Sequence, residues 1–389
     1  MIHKVLDLGR QPVANRFLDK DQYDSEYFYH LIATFNDKNY HFSIENMVKP
    51  EDMFNDSYAY FSSNSKPMVE HFRQVSEKLK EYNPKSILEI GSNDGCFIRN
   101  FDTDISVCIE PSSNVAEITS NLGYRTYVNF FDSDIIEEVL KNHGKFDLIY
   151  SANCICHIPD LDEVFYTVSK LLTDEGLFVF EDPSLLSMIQ NNSYDQIYDE
   201  HPHIFSILFI NEITKKYGLE IRKVERLNVH GGSNRIYVGI KGGDIEHSVY
   251  DSLNEEIKYG LNDIEQIKEF AHRIRKSKDE LVNLLTNIKE NGGKIFSYGA
   301  TSKSTTVFNY CGIDTKLIDF ISDTSAPKIG KFSPGVHIPV VDRNSININD
   351  YDYLYMGAWN FMDFIVEKES EWISNGGKII THVPYVRVI

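Results

Sequence analysis

Apolar and polar positions along this chain fall into three regimes. Residues 1–72 carry short apolar runs broken by turn signals such as Gly9-Arg10-Gln11-Pro12 and Asn36-Asp37-Lys38-Asn39, a pattern of short strands. From Pro67 to Tyr82 the period lengthens, with Val69, Phe72, Val75 and Leu79 on one helical face. Continuous apolar runs then recur at 86–90, 106–110, 146–150 and 176–181, with helical periodicity between them. Strands alternating with helices predict an α/β fold with a parallel, doubly wound sheet. The pattern breaks at Gly242-Gly243. One long helical stretch, 251–289, is expected next, ending at Gly292-Gly293, and strands resume at 294–299, 318–321 and 353–356. The boundaries read as 1–72, 73–240 and 241–389, the last unit opening as a faint echo of the one before it.

Composition narrows the function classes. With 389 residues the chain exceeds one ordinary domain. A formal charge of -19 argues against a general nucleic-acid or anionic-membrane binder, yet leaves room for a small anion held by a local cation cluster. The start, Met1-Ile2-His3-Lys4-Val5, has no apolar signal core, and no apolar run approaches the ~20 residues of a membrane span. The five cysteines, Cys96, Cys108, Cys154, Cys156 and Cys311, fit reduced thiols, so a cytoplasmic protein is expected.

Candidate chemistry gathers in a few segments. Leu88-Glu89-Ile90-Gly91-Ser92-Asn93-Asp94-Gly95 is a strand, a glycine-bearing turn and a helix start, with Asn93 where many such loops have glycine. Glu110 ends the next strand, where a carboxylate can accept both hydroxyls of a ribose. This pair suits a nucleotide-like cofactor without distinguishing nicotinamide, flavin or S-adenosylmethionine. The run Tyr194-Asp195-Gln196-Ile197-Tyr198-Asp199-Glu200-His201-Pro202-His203 packs proton-handling groups just past an apolar strand. A second polar segment holds His230, Gly231, Gly232, Ser233 and Arg235. A third, Tyr298-Gly299-Ala300-Thr301-Ser302-Lys303, offers a phosphate backbone N–H groups, hydroxyls and a lysine. Lys328 and His337 lie in later loops at strand ends.

Glu89-x-Gly91 with Glu110 resembles class I S-adenosylmethionine-dependent methyltransferases. That resemblance implies a cofactor held by Gly91, Ser92, Asn93, Asp94, Gly95 and Glu110, with Asn129 and Phe130 flanking the adenine and Asn153 and His157 near the methionine end. Over nearly the whole chain, a series of segments resembles the sugar C-methyltransferases that act on nucleotide-activated ketosugars. They are Leu8 to Phe17, Tyr58 to Ser65, the glycine loop, Asp195 to His201, His230-Gly231-Gly232-Ser233, Tyr298-Gly299-Ala300, Pro334 to Pro339 and Ala358-Trp359-Asn360-Phe361. The family implies a small zinc-binding N-terminal domain, a Rossmann-like central domain for S-adenosylmethionine and a Rossmann-like C-terminal domain that helps hold the sugar nucleotide. No cysteine precedes Cys96, so the usual thiolate site cannot form and no zinc is expected.

The implied reaction is methylation at C3 of a nucleotide-linked 4-ketosugar. His201 removes the C3 proton, Tyr198 and Glu200 orient the sugar or tune the base, Tyr60 closes the site, and His157 stabilises the enolate oxygen. Ser233, Arg235, Tyr298, Lys303, Lys328 and His337 are expected to bind the sugar nucleotide. Sugar O-methylation, a nicotinamide oxidoreductase and a non-catalytic binding module are the alternatives.

Overall fold

A computed structural model describes every residue except Ser57 and Ala59, so the segment around Tyr60 is described apart from those two positions. The fold is mixed α/β with three sheets. The central seven-stranded sheet runs in the order Leu219–Leu227, Ser233–Ile240, Leu172–Pro183, Phe146–Ala152, Ile87–Ile90, Ser106–Ile109 and Arg125–Tyr127. Its five members from Leu172–Pro183 onward are parallel, and the other two form an antiparallel hairpin on the end. Ile87–Ile90 and Ser106–Ile109 are buried throughout, which explains their mostly apolar sequence, and Glu89 is buried with them. Both therefore deliver their carboxyl ends to one crevice, where open α/β sheets keep their ligands.

The C-terminal sheet orders Val340–Asp342, Ile321–Asp323, Ile295–Tyr298, Tyr353–Met356, Lys378–Thr381 and Arg387–Val388, parallel except for the last strand. The expected strand at 318–321 forms later, at Ile321–Asp323. The single long helix is two, His247–Tyr259 and Ile264–Glu290. Gly260 takes φ +93 to end the first, and Asp263 caps the second by accepting from Glu265 N–H. The first of these helices packs on the central sheet. Buried Glu256 caps the Ile207 and Leu208 N–H groups at 2.9 Å each.

The N-terminal sheet, Ile2–Pro12, Phe28–Asn36 and His41–Ile44, takes its fourth strand from the central domain. That strand, His203–Ile204, begins two residues after His201 and pairs Ile204 with Phe42. Leu6, Leu31, Phe35 and Phe42 share one apolar core with Ile189, Ile274 and Leu281. Burying each such side chain contributes about 1.5–3 kcal/mol. Polar ties complete the docking: Ala14 N–H donates to Asp199 at 2.9 Å, and Thr305 Oγ1 donates to Ala14 O at 2.9 Å. Among the described residues no helix is long and apolar enough to cross a membrane.

Candidate active site

The three units enclose a cavity of about 850 Å³. On its cofactor side, the turn after Ile87–Ile90 brings Gly91, Ser92 and Asn93 to the wall. Gly91 is held at φ +70 with Cys154 beneath it, so close that a Cβ would lie 2.5 Å from the Sγ atom. Asn93, at φ +49, takes the left-handed conformation that glycine fills elsewhere. Glu110 organises the turn: Asn93 N–H and Ser112 N–H each donate to its carboxylate at 2.9 Å. Burial pushes the Glu110 carboxyl above its ordinary range, and those two backbone donors pull it back. Phe130 lines the cavity and Asn153, at φ +48, faces it. Asn129 turns its side chain back to Phe130 N–H, 2.9 Å away, and is not a wall residue. Asp94 and Gly95 also lie behind the wall. Asp94 accepts from Ser63 N–H at 3.1 Å, fastening the N-terminal segment over the turn.

Across the cavity stands the proton-handling cluster. The run that holds it is not a solvated loop: Tyr194, Asp195, Gln196 and Ile197 are fully buried. His201 Nδ1 is 2.9 Å from the Gln196 carbonyl, which can only accept, so Nδ1 carries the proton. The Nε2 lone pair is left to accept from the Tyr198 hydroxyl at 2.9 Å. Burial, then the nearby His157 and Lys303, hold His201 well below 6.5. The ring is therefore neutral across the physiological range but weakly basic. His157 stacks against it with centroids 5.3 Å apart. Burial and His230 pull His157 down to about 3, and its Nε2 has no hydrogen-bond partner among the described residues. It is a neutral imidazole with a free polar atom. Glu200 also lines the cavity; burial, then the Asp199 charge, push its carboxyl up to about 8, with Lys328 opposing. Tyr60 completes this region at the rim.

The third wall is cationic. Lys303 lines it beside the Trp359 ring, 5.9 Å from the centroid. Lys328 donates to Asn15 Oδ1 and to the Ala300 carbonyl, 2.8 Å each. Burial pulls both amines down, countered by Asp195 at Lys303 and by Asp323 and Glu200 at Lys328.

Four expected sugar-nucleotide residues lie elsewhere. Arg235 is consumed by Glu181, at 2.7 Å, in a buried network with His71 and Tyr150. Burial raises the Glu181 carboxyl, and His71 and Arg235 outweigh it, so the pair is ionised and structural. Ser233 is buried and donates to Val229 O at 3.3 Å. Tyr298 is buried against Lys368 and Glu369, although its turn reaches the cavity through Ala300, Thr301 and Ser302. His337 stacks on Tyr23 at 3.7 Å and pairs with Glu26 at 2.8 Å. Sequence reasoning also missed wall residues, among them Asn15, His230 and Asp323. His230 stood in a polar segment already singled out and Asn15 in the segment Leu8 to Phe17, but neither was assigned to the site.

Comparisons with known proteins make this an S-adenosylmethionine-dependent methyltransferase. Residues 67–224 match the family described as a methyltransferase domain, and residues 228–384 match the C-methyltransferase C-terminal domain. The chain is 29% identical to C-methyltransferase NovU of Streptomyces niveus over 99% of its length and 94% of that protein's. The chain thus carries a match to a methyltransferase domain followed by one to a C-methyltransferase C-terminal domain, and is similar to a C-methyltransferase over nearly its whole length. Among solved structures, a methyltransferase from Clostridium acetobutylicum is 18% identical with a TM-score of 0.36, covering 45% of this chain and 92% of that one. The PH0226 protein of Pyrococcus horikoshii is 14% identical with a TM-score of 0.36, covering 47% and 95%.

Residues 1–54 match a family described as "Putative zinc binding domain". That match points to zinc and overturns the expectation of none, which rested on the missing cysteines and on the scatter of His3, His30 and His41. The residues present do not supply the usual ligand set. His3 bonds Asp37 at 2.7 Å, His30 bonds Asp7 at 2.8 Å, and His41 bonds His203 at 2.9 Å. Among the described residues, the histidine, cysteine and acid side chains close enough to share an ion are Cys156, His157 and His201; the two histidines line the cavity and Cys156 is fully buried behind its wall. There the two rings stack at 22° and His201 Nε2 is engaged by Tyr198. No step below passes through a metal.

Proposed function

We propose that this enzyme methylates C3 of a nucleotide-linked 4-ketosugar, with His201 as the base. The observation that carries the reading is the His201 tautomer: Nδ1–H is tied to Gln196 O, and the Nε2 lone pair is presented at the cavity with the Tyr198 hydroxyl on it. A C–H bond is acidic enough to lose a proton to so weak a base only beside an electron sink, and a ketone supplies one.

Gly91, Ser92, Asn93 and Glu110 would hold S-adenosylmethionine, whose sulfonium supplies an activated methyl group. The cation suits a turn ringed by Glu89 and Glu110. Lys303 and Lys328 would face the phosphates and sugar of the other ligand. His201 Nε2 takes the C3 proton, directly or through Tyr198, and the C–H electron pair becomes an enolate. Neutral His157 and protonated Glu200 can donate hydrogen bonds to the enolate oxygen without the cost of a fixed charge. The enolate carbon then displaces the methyl group from sulfur, whose bonding pair stays on S-adenosylhomocysteine. The proton on His201 leaves to solvent.

His201→Asn keeps polarity and approximate size but cannot act as the base. Turnover should fall by about 10²–10⁴-fold with S-adenosylmethionine affinity nearly intact. Wild type should also exchange the C3 proton with solvent deuterium when S-adenosylhomocysteine is bound, and the variant should not. Near-normal turnover in the variant would move the base elsewhere, and efficient methylation of a sugar lacking a ketone would make the enzyme an O-methyltransferase.

A further inference from the structure

Asp195 is a buried charge that the reaction above leaves unused. It sits in the short turn Tyr194–Gln196, fully buried, and is held from the C-terminal domain. Trp359 Nε1 donates to its Oδ2 atom, and His382 Nε2 lies 3.7 Å from the same oxygen. Lys303 faces the carboxylate, and Oδ1 has no hydrogen-bond partner among the described residues. His382 is itself fixed by the Tyr355 hydroxyl at 2.9 Å. The next residue along the chain is Gln196, whose carbonyl accepts the His201 Nδ1–H. One turn thus carries both the carboxylate gripped by Trp359 and the carbonyl that selects the His201 tautomer.

The indole also has a built seat. At Gly231, φ +89, a Cβ would lie 2.2 Å from the Trp359 ring, so only glycine leaves room for it. Beside that contact stands His230, a wall residue of the cavity. Ring placement and N–H donation are therefore separable: the Gly231 contact fixes the ring, and the nitrogen reaches Asp195.

We propose that Trp359 is a positioning residue for His201: by holding Asp195 it fixes the turn whose Gln196 carbonyl keeps the proton on Nδ1 and aims Nε2 into the cavity. The inference rests on the reading of His201 as base for its catalytic consequence, but its structural core does not. A buried carboxylate that loses one donor draws harder on those that remain. Here His382 Nε2, at 3.7 Å, and the Lys303 amine stand by, so the carboxylate moves toward them and the carbonyl one residue away shifts with the turn.

The test is Trp359→Phe in the full-length protein, which keeps an aromatic ring at this position and removes the N–H. Nitrogen-15 NMR of histidine-labelled protein reads the His201 tautomer directly, its signal assigned by its loss in His201→Asn. Wild type should show Nδ1–H with an unprotonated Nε2 that accepts from the Tyr198 hydroxyl. The variant should populate the other tautomer, and turnover should fall by up to roughly 100-fold with little change in KM. An unchanged tautomer overturns the proposal, and so does a rise in KM with unchanged kcat. A shifted tautomer with normal turnover would instead sink the assignment of His201 as base. If Trp359→Phe fails to fold, His382→Asn tests the same grip from another strand without disturbing the Gly231 seat. It should shift the same signal, and an unshifted signal there overturns the proposal as well.

Discussion

The central and C-terminal sheets build their first turns on the same hydrogen bonds and then present opposite charge to one cavity. In the central domain, Gly91 N–H donates to Ile109 O at 2.8 Å, and Asn93 N–H donates to the Glu110 carboxylate that follows. In the C-terminal domain, Gly299 N–H donates to Ser322 O at 2.8 Å, and Ala300 N–H donates to the Asp323 carboxylate that follows, at 2.6 Å. Both glycines have positive φ, +70 and +95. Beyond this shared frame the two diverge. Acids, Glu89 and Glu110, border the first turn, and amines, Lys303 and Lys328, border the second. The frame fixes where a ligand can sit, and the added side chains decide its charge. His201, the base on our reading, stands on the seam, in a segment that also gives the N-terminal sheet its fourth strand.

The largest effect should come from the acid of the first turn. Glu110→Ala removes the acceptor of two backbone N–H groups and, on our reading, of the ribose hydroxyls. S-adenosylmethionine affinity should fall by about 1–3 kcal/mol, measured by calorimetry. Asp323→Ala, its counterpart, should leave that affinity nearly unchanged. Equal losses would mean the two turns do not serve separate ligands.

Much of the shared frame is legible in the sequence. Continuous apolar runs mark strands buried on both faces, Glu110 stands one strand after Gly91, and the run up to His201 is too polar for packing alone. Partnerships between distant segments are not legible. Arg235 reads as an anion binder until Glu181, 54 residues away, is seen to neutralise it. Asn15 becomes a wall residue only because Lys328, 313 residues on, reaches it. The break between the two helices near residue 260 was within reach, since Gly260 and Asp263 are a C-terminal and an N-terminal signal in succession. Long-range pairing was the missing information, and it also hid how buried the His201 segment is.

The amine of the second turn gives a smaller, reciprocal effect. Lys303→Ala should weaken sugar-nucleotide binding about tenfold or more while changing S-adenosylmethionine affinity little, the loss expected for one charge-assisted phosphate contact. Parallel titrations of both ligands check this. Matched losses would point to a disturbed fold, since Lys303 also faces buried Asp195.

The smallest effect is a shape rather than a loss, and it probes the seam between the two turns. Burial lowers His201, so its neutral, competent form persists below pH 6.5, and the acid limb of the kcat/KM profile should fall below that value. Glu200 is raised to about 8, so it is protonated below that pH and loses its proton as the pH rises through it. If its O–H donates to the enolate oxygen, activity should decline on the alkaline side near pH 8. Glu200→Gln keeps a donor that does not titrate. It should retain activity at neutral pH within about tenfold and flatten the alkaline limb, because only the titration has been removed. An unchanged alkaline limb in that variant would assign the decline to another group and leave His157 as the donor to the enolate.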